Sequence, residues 1–201
     1  MPDRLSPDAE GIGRAAALLR DGELVAFPTD TVYGLACRTG DAEALARLFA
    51  AKRRPAEKAI AWLVSSLSEA LDRGYVADPR ARRLADRFWP GALTMVLPAA
   101  DGSGPQAFRV PNHPVALALL AATGPLAVSS ANRSGEPETR DVDDVLVAFA
   151  DSDEPAAIVD GGRIGGGVAS TVLDMSGPRA RLVREGAVPR AELEQVMGPI
   201  D

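Results

Sequence analysis

Two short clusters of oxygen-bearing side chains are the first candidates for chemistry in this sequence. Thr29-Asp30-Thr31 follows the apolar run Leu24–Phe27, and Ser129-Ser130-Ala131-Asn132 follows a second short apolar run. Ligands of open α/β sheets commonly bind at strand ends, and hydroxyl and amide groups can bind phosphate oxygens, a hydrated Mg²⁺ or an amino-acid head group. The two clusters together predict one shared polar pocket, although each alone also fits an ordinary turn.

Positive charge is concentrated in one short stretch, which consists of Lys52, Arg53, Arg54 and Lys58. An ammonium and a forked guanidinium together can neutralise several oxygens of a polyphosphate. The alternative is that these cations complement the dipole at the C-terminus of the helix predicted after Asp41. Two further arginines, Arg109 and Arg184, follow predicted strands, where each could bind an anion or form a surface ion pair.

Several other kinds of site are disfavoured by the sequence. The glycine-rich stretch Gly161–Gly167 is not a P-loop, because no Gly-Lys-Ser/Thr follows it, and it is not a dinucleotide-binding motif, because the next residues read as a strand and not as a helix. We therefore predict a flexible loop that could act as a lid. A Gly-x-Ser-x-Gly nucleophile motif is absent. With one histidine, His113, and one cysteine, Cys37, the sequence excludes a disulfide framework and histidine-rich or multi-cysteine metal sites, so we assign no metal-ligating residue.

The composition is that of one globular domain covering residues 1–201, with 46% hydrophobic and 25% charged residues. A net charge of −6 argues against a broad nucleic-acid-binding surface, though not against a local basic cleft. The N-terminus has no apolar signal segment, and no apolar run reaches membrane-spanning length. We therefore expect a cytoplasmic protein without a membrane partner.

Short apolar runs alternate with helical segments, which predicts an α/β fold with an open, twisted, mixed sheet and flanking helices. The helix after Asp41 must end before Pro55, which would leave Lys52, Arg53 and Arg54 on its last turn. Further helices are predicted after Asp8, Ser66 and Asp78 and at Pro114, Val142 and Arg190. The predicted strands are Leu24–Phe27, Ile60–Val64, Leu93–Leu97, Ala107–Val110, Leu126–Ser129, Ala157–Val159, Val168–Asp174 and Ala180–Arg184.

Several of these pieces occur together, in this order, in one family. The sequence resembles the short single-domain members of the YrdC/TsaC family, which are threonylcarbamoyl-AMP synthases, from about Gly22 to Gly186. The resemblance implies a YrdC-like fold with a concave ligand cleft. The motifs that carry it are Pro28-Thr29-Asp30-Thr31-Val32-Tyr33-Gly34-Leu35, Lys52-x-Arg54-Pro55, Trp89-Pro90-Gly91, Arg109-Val110-Pro111, Ser130-x-Asn132, Ser170-Thr171-Val172 and Arg184-x-Gly186.

The resemblance also implies a reaction, in which L-threonine, bicarbonate or CO₂, and ATP give L-threonylcarbamoyl-AMP and pyrophosphate. A tRNA-modifying partner would then transfer the threonylcarbamoyl group to the adenosine beside the anticodon, with at most a weak tRNA contact by this protein. ATP would bind with Mg²⁺, and no tightly bound prosthetic group is implied. The alternative is a non-catalytic module of the same fold that binds a nucleotide or RNA.

Residue roles follow from the same resemblance. As catalytic residues, Lys52 and Arg54 would hold the triphosphate, with Mg²⁺ bridging its oxygens. Alternation along an extended segment would direct Thr29 and Thr31 to one side and Asp30 to the other. The implied ATP site consists of Lys52, Arg54, Ser130, Asn132 and Arg184, and the implied threonine site consists of Thr31, Arg109, Ser130 and Ser170.

Overall fold

The computed structural model describes residues 1–53 and 60–201. Within these ranges the strands are β1 Asp3–Leu5, β2 Val25–Pro28, β3 Tyr33–Arg38, β4 Ala61–Leu63, β5 Leu93–Leu97, β6 Gln106–Arg109, β7 Leu126–Ser130, β8 Ala157–Val159, β9 Thr171–Asp174 and β10 Arg181–Arg184. The helices are α1 Ala9–Arg20, α2 Ala42–Ala51, α3 Leu67–Asp72, α4 Pro79–Phe88, α5 Pro114–Thr123, α6 Val142–Ala148 and α7 Arg190–Met197.

All of these strands join one mixed sheet in the order β1-β8-β2-β3-β7-β4-β6-β5-β9-β10. The predicted open, mixed α/β sheet with flanking helices is therefore confirmed. β2 and β3 form an antiparallel hairpin that begins at the pair Pro28–Tyr33, and β3 then pairs antiparallel with β7. On the other side of the centre, β4 pairs parallel with β6, and β5 pairs parallel with β9.

Helices cover both faces of the sheet. On one face, α1 and α5 pack against side chains such as Val25, Ala36 and Val128. The opposite face of the central strands, which carries Leu35, packs against α2 and α6, and its continuation, which carries Phe108, packs against α4 and α7. The face of the sheet that packs against α1 and α5 also forms the wall of a cavity. Alternate residues of the strands therefore point either into this core or into the cavity.

Helix starts follow the predicted caps. The side chains of Asp8, Asp41, Ser66 and Asp78 each accept a hydrogen bond from the backbone N–H three residues later, which satisfies a donor at the helix start. In the part of the chain that the structure describes, no helix is long and apolar enough to cross a membrane.

Three predictions about local structure are wrong. The sequence interpretation missed β1 and β3, and Thr29–Val32, which was predicted as a polar cluster at the end of a strand, is the loop of the β2–β3 hairpin. Lys52 caps the last turn of α2, with a helical backbone and an N–H that donates to the carbonyl oxygen of Leu48 at 3.1 Å, but Arg53 is not on that turn, because it adopts a left-handed backbone with φ 50°. β9 begins at Thr171 rather than at Val168. Arg54 lies outside the described residues.

Candidate active site

A cavity of about 630 Å³ opens on the sheet where α1 and α5 do not cover it. The cavity wall combines the β2–β3 hairpin loop with side chains from the strands between β3 and β10. Among the predicted site residues, five line it directly: Thr31, Arg109, Ser130, Ser170 and Arg184. Strands that are far apart in sequence therefore bring these residues to one concave surface, as the resemblance implied.

The hairpin loop is held by the hydroxyl of Thr29. Its Oγ1 donates to the carbonyl oxygen of Val32 at 2.7 Å and accepts from the backbone N–H groups of Thr31 and Val32 at 3.2 and 3.3 Å. The hydroxyl oxygens of Thr29 and Thr31 also lie 3.1 Å apart. Thr29 and Thr31 both line the cavity, whereas Asp30 does not line it and its Oδ1 instead accepts a hydrogen bond from Arg109 Nη2.

Arg109, at the end of β6, is the most constrained charge in the cavity. Its Nε donates to the carbonyl oxygen of Gly91 at 2.9 Å, Nη1 donates to Thr31 Oγ1 at 2.8 Å, and Nη2 donates to Asp30 Oδ1 at 2.5 Å. Asp30 Oδ1 also accepts from the backbone N–H of Asn112 at 2.9 Å. Burial lowers the pKa of Arg109, and the negative charge of Asp30 opposes that shift. A guanidinium carries five N–H groups, so this arrangement fixes Arg109 and leaves two N–H groups for a ligand within the described structure.

Gly91 explains why a Trp-Pro-Gly motif precedes the strand next to Arg109. A Cβ atom at this position would lie 2.5 Å from the carbonyl oxygen of Phe88, so only glycine fits. The Gly91 backbone N–H donates to the carbonyl oxygen of Val110 at 2.8 Å, and its own carbonyl accepts from Arg109 Nε. The motif thus serves to place a backbone carbonyl beside the guanidinium.

Ser170 and Arg184 form the far wall. Arg184 donates from Nη2 and Nε to the carbonyl oxygen of Ser170 at 2.8 and 3.2 Å, and Ser170 Oγ lies 2.8 Å from Thr94 Oγ1. Thr171 Oγ1 ties β9 to the following loop by donating to the carbonyl oxygen of Val188 at 2.6 Å. A Cβ atom on Gly186 would lie 2.2 Å from the carbonyl oxygen of Ala169, so the Arg184-x-Gly186 motif allows this close approach.

Lys52 and Asn132 lie behind Ser130. The buried Lys52 Nζ donates to the backbone carbonyl oxygens of Ser130 and Asn132, which brings the cation from the end of α2 to the end of β7. Ser130 Oγ donates to Asn132 Oδ1 at 2.6 Å, and Asn132 Nδ2 donates to the carbonyl oxygen of Glu136 at 2.7 Å. The structure therefore brings Lys52, Ser130 and Asn132 together, and their roles toward ATP remain a prediction.

The glycine-rich loop packs on the hairpin loop. Gly167 N–H donates to the carbonyl oxygen of Thr31 at 2.6 Å, and the Tyr33 hydroxyl donates to the carbonyl oxygen of Gly162 at 2.8 Å. A Cβ atom on Gly166 would lie 2.5 Å from the carbonyl oxygen of Thr31, which accounts for glycine there. Burial raises the pKa of Tyr33 to about 12, so its hydroxyl remains a donor. The loop is thus a support for Thr31.

Sequence reasoning named Asp30 in the Thr29-Asp30-Thr31 cluster but did not predict its partner, and it did not name Glu138. Asp30 is the partner of Arg109, although the two lie 79 positions apart in the chain. Glu138 lines the cavity. Glu138 lies six residues after Asn132, in a polar stretch that reads as an exposed loop. No local sequence pattern indicates that this loop returns to the sheet at Thr139, where the Tyr33 N–H binds its carbonyl oxygen.

Comparison with known proteins identifies the family. The family model Sua5_yciO_yrdC, described as Telomere recombination, matches residues 17–186. Threonylcarbamoyl-AMP synthase of Bacillus subtilis is 40% identical over 98% of this chain and 60% of its own length. The putative threonylcarbamoyl-AMP synthase of Mycobacterium leprae is 37% identical over 98% of this chain and 94% of its own length.

A solved structure extends this comparison. The crystal structure of Pyrococcus abyssi Sua5 complexed with L-threonine superposes with a TM-score of 0.90 and 37% identity, and covers 100% of this chain and 62% of that one. The chain thus spans about three fifths of the length of the Bacillus subtilis and Pyrococcus abyssi proteins. With most of the sequence matched and the fold shared, the chain belongs to the Sua5/YciO/YrdC family.

Proposed function

We propose that the protein is a threonylcarbamoyl-AMP synthase, which forms L-threonylcarbamoyl-AMP and pyrophosphate from L-threonine, bicarbonate or CO₂, and ATP. The observation that carries this proposal is the fixed Arg109 guanidinium in a cavity that also contains the hydroxyls of Thr31 and Ser170. A guanidinium beside hydroxyls suits the carboxylate and hydroxyl of a small amino acid. The names of the relatives and the L-threonine complex of the Pyrococcus abyssi protein support the same reaction.

In this proposal L-threonine binds between the hairpin loop and β9. The two remaining N–H groups of Arg109 pair with the threonine carboxylate, while Thr31 and Ser170 line the pocket. Because Asp30, Thr31 and Gly91 already hold the guanidinium, little side-chain entropy is lost when the amino acid binds. The binding free energy is then available to orient the threonine amine for reaction.

The nucleotide would occupy the side of the cavity formed by Ser130. Lys52 and Arg54 hold the triphosphate, and Ser130, Asn132 and Arg184 complete its site. Lys52 already lies next to the backbone of Ser130, so a modest side-chain movement would carry its ammonium to a phosphate placed there. Mg²⁺ bound with ATP would neutralise phosphate charge during the displacement.

The chemistry requires positioning and charge neutralisation rather than a protein nucleophile. The threonine nitrogen attacks the carbon of CO₂ and loses a proton, which gives a carbamate. A carbamate oxygen then attacks the α-phosphorus, the bond to the bridging oxygen of the β-phosphate breaks, and pyrophosphate leaves. Cations and hydroxyls that hold the reacting groups in line would supply most of the rate enhancement.

The product would be used by a second protein. We propose that a tRNA-modifying complex in the cytoplasm transfers the threonylcarbamoyl group to the adenosine beside the anticodon. With a net charge of −6, this chain itself is expected to contact tRNA weakly at most.

Pyrophosphate release tests the proposal. The protein is incubated with ATP, L-threonine, bicarbonate and Mg²⁺, and pyrophosphate is measured with a coupled assay, with threonine omitted as the control. We expect release only when threonine is present, and the nucleotide product should carry both the threonine carbon and the bicarbonate carbon in isotope-labelling experiments. Pyrophosphate release that does not depend on threonine, or no release at all, would exclude this function.

A further inference from the structure

Arg133 is a buried cation that takes no part in the proposed chemistry. Its guanidinium donates from Nε to the carbonyl oxygen of Ala148 at 3.0 Å, from Nη1 to the carbonyl oxygen of Ala51 at 2.6 Å, and from Nη2 to the carboxylate of Asp151. It also lies over the ring of Phe149, with 5.5 Å between Cζ and the ring centroid. Because the side chain is only 8% exposed, its charge depends on these partners, and it holds them together.

The two carbonyl groups bound by Arg133 belong to the ends of two helices. Ala51 is the last residue of α2, and Ala148 is the last residue of α6. Carbonyl groups in the last turn of a helix lack partners within the helix and carry the negative end of its dipole. An arginine side chain can both hydrogen-bond and neutralise them. Arg133 therefore joins the C-terminal ends of α2 and α6 at one point.

The segment that carries Arg133 also holds Lys52, the residue that follows α2. The backbone N–H of Ser134 donates to the carbonyl oxygen of Lys52 at 3.0 Å. The Lys52 ammonium donates to the carbonyl oxygens of Ser130 and Asn132, on the other side of Arg133 in the chain. Lys52 is thus held by this one segment through its backbone and its side chain, and the Arg133 guanidinium binds the peptide group that joins Lys52 to α2.

Asp151 extends the same contacts to Arg53. One carboxylate oxygen, Oδ1, accepts from Arg133, and the other, Oδ2, accepts from Arg53 Nη2 at 2.5 Å. Arg53 has a left-handed backbone, which residues other than glycine adopt rarely, so a contact that anchors its side chain helps to define this turn. The next residue in the chain is Arg54, the second cation that the proposed function assigns to the triphosphate. Through Asp151, Arg133 is therefore connected to the point where the chain leaves α2.

We propose that Arg133 is a positioning residue for the nucleotide side of the reaction, an inference that rests on the proposed function. By joining the ends of α2 and α6, Arg133 fixes the backbone from which Lys52 extends, so that only the ammonium has to move when a phosphate binds beside Ser130. Arg133 acts without contacting a reactant, since none of its three acceptors lines the described part of the cavity. The threonine side of the cavity, at Arg109 and Thr31, is built from other elements and should not depend on it.

Pyrophosphate release by Arg133→Met, with ATP and L-threonine varied in turn, tests this inference. Misplacing a group that holds a reactant by about 1 Å can cost about a hundredfold in rate. We therefore expect kcat/KM for ATP to fall by about ten- to a hundredfold, while KM for L-threonine stays within about twofold of the wild-type value. Arg133→Lys keeps the positive charge but cannot reach all three acceptors at once, so its loss should be smaller and confined to ATP in the same way. If Arg133→Met does not fold, Arg133→Lys decides by the same comparison.

Chemical labelling of Lys52 provides a second readout, which requires no turnover. Lys52 and Lys58 are the only lysines in the sequence, so acetylation with a limiting amount of reagent, followed by mass spectrometry, gives the labelling rate of each. Lys52 is buried, and its labelling in the wild type should be slow. In Arg133→Met it should be about tenfold faster, because the loss of buried hydrogen bonds favours local opening of this segment.

Asp41→Ala is the matched control. It removes the cap at the start of α2, where Asp41 Oδ1 accepts from the Ala44 N–H at 2.9 Å, and so destabilises the same helix without touching the contacts of Arg133. It should retain wild-type kinetics and slow labelling of Lys52.

Three kinetic results would overturn the inference and leave the proposed function standing. They are wild-type ATP kinetics in Arg133→Met, equal losses for ATP and L-threonine in that variant, and the same ATP loss in Asp41→Ala. Labelling of Lys52 at the wild-type rate in Arg133→Met would overturn the inference by itself. Absence of threonine-dependent release by the wild type would instead overturn the proposed function.

Discussion

The buried ion pair between Asp30 and Arg109 should stabilise the folded protein only as an intact pair. The side chains are 17% and 8% exposed, and Asp30 Oδ1 lies 2.5 Å from Arg109 Nη2. Truncating one partner of such a pair leaves an uncompensated buried charge, which costs about 3–5 kcal/mol. Because the Asp30 carboxylate retains some solvent contact, we expect Asp30→Ala to lower the free energy of unfolding by about 3 kcal/mol, at the lower end of that range.

Arg109→Met and the double variant complete a double-mutant cycle, which isolates the interaction between Asp30 and Arg109 from the other contacts of each side chain. Arg109→Met removes the guanidinium but keeps an unbranched apolar chain. It should cost a similar amount because, among the residues that the structure describes, Asp30 then retains only the Asn112 backbone N–H. In the double variant both charges of this pair are gone, so neither is left buried without its counter-charge. Its cost should therefore be less than the sum of the two single costs by about 2 kcal/mol.

Urea unfolding followed by tryptophan fluorescence measures all four proteins of this cycle. The pair between Arg181 and Asp174 is the control, since Arg181 is 68% exposed and its Nη2 lies 3.2 Å from the carboxylate. Its truncation should change the free energy of unfolding by at most about 1 kcal/mol. If the costs of Asp30→Ala and Arg109→Met simply add, the two side chains do not stabilise each other and Asp30 does not hold Arg109 in place.

Two further predictions concern the loop that supports Thr31 and the single cysteine. Gly166→Ala should cost about 1–3 kcal/mol of stability and weaken L-threonine binding, because its Cβ would lie 2.5 Å from the Thr31 carbonyl oxygen, whereas Gly165→Ala has open space and should do neither. Burial raises the pKa of Cys37 to about 12, so a thiol reagent at mildly alkaline pH should label it only in denaturant. Wild-type threonine affinity in Gly166→Ala, or rapid labelling of the native protein, would contradict these expectations.

Local patterns predicted most elements of the fold, because caps and hydrophobic periodicity act over a few residues. β3 was missed because Tyr33–Cys37 is buried on both faces and contains a glycine, so it shows no alternation that would distinguish it from the preceding loop. β1 was missed because it is three residues long and mostly exposed. Neither failure changes the fold class, but the loss of β3 concealed that Thr29–Val32 is a hairpin loop.

The site was less predictable than the fold. The motifs showed which residue types belong to the site, and five of the predicted residues do line one cavity. Their partners could not be predicted, since the contacts of Arg109 with Asp30 and Gly91 depend on how strands pair across the sheet. The burial of the Lys52 side chain depends in the same way on the distance between the end of α2 and the end of β7.

The hydrogen bonds of Arg109 have a consequence for how the protein folds. The Arg109 side chain contacts both Asp30, in the β2–β3 hairpin loop, and Gly91, which lies just before β5. Residues near β9 and β10, much later in the chain, also line the cavity. Contacts that span so much sequence form late, because long loops must close before they are stabilised. The pocket should therefore be absent from early folding intermediates, and binding competence should appear only in the last, cooperative step of refolding.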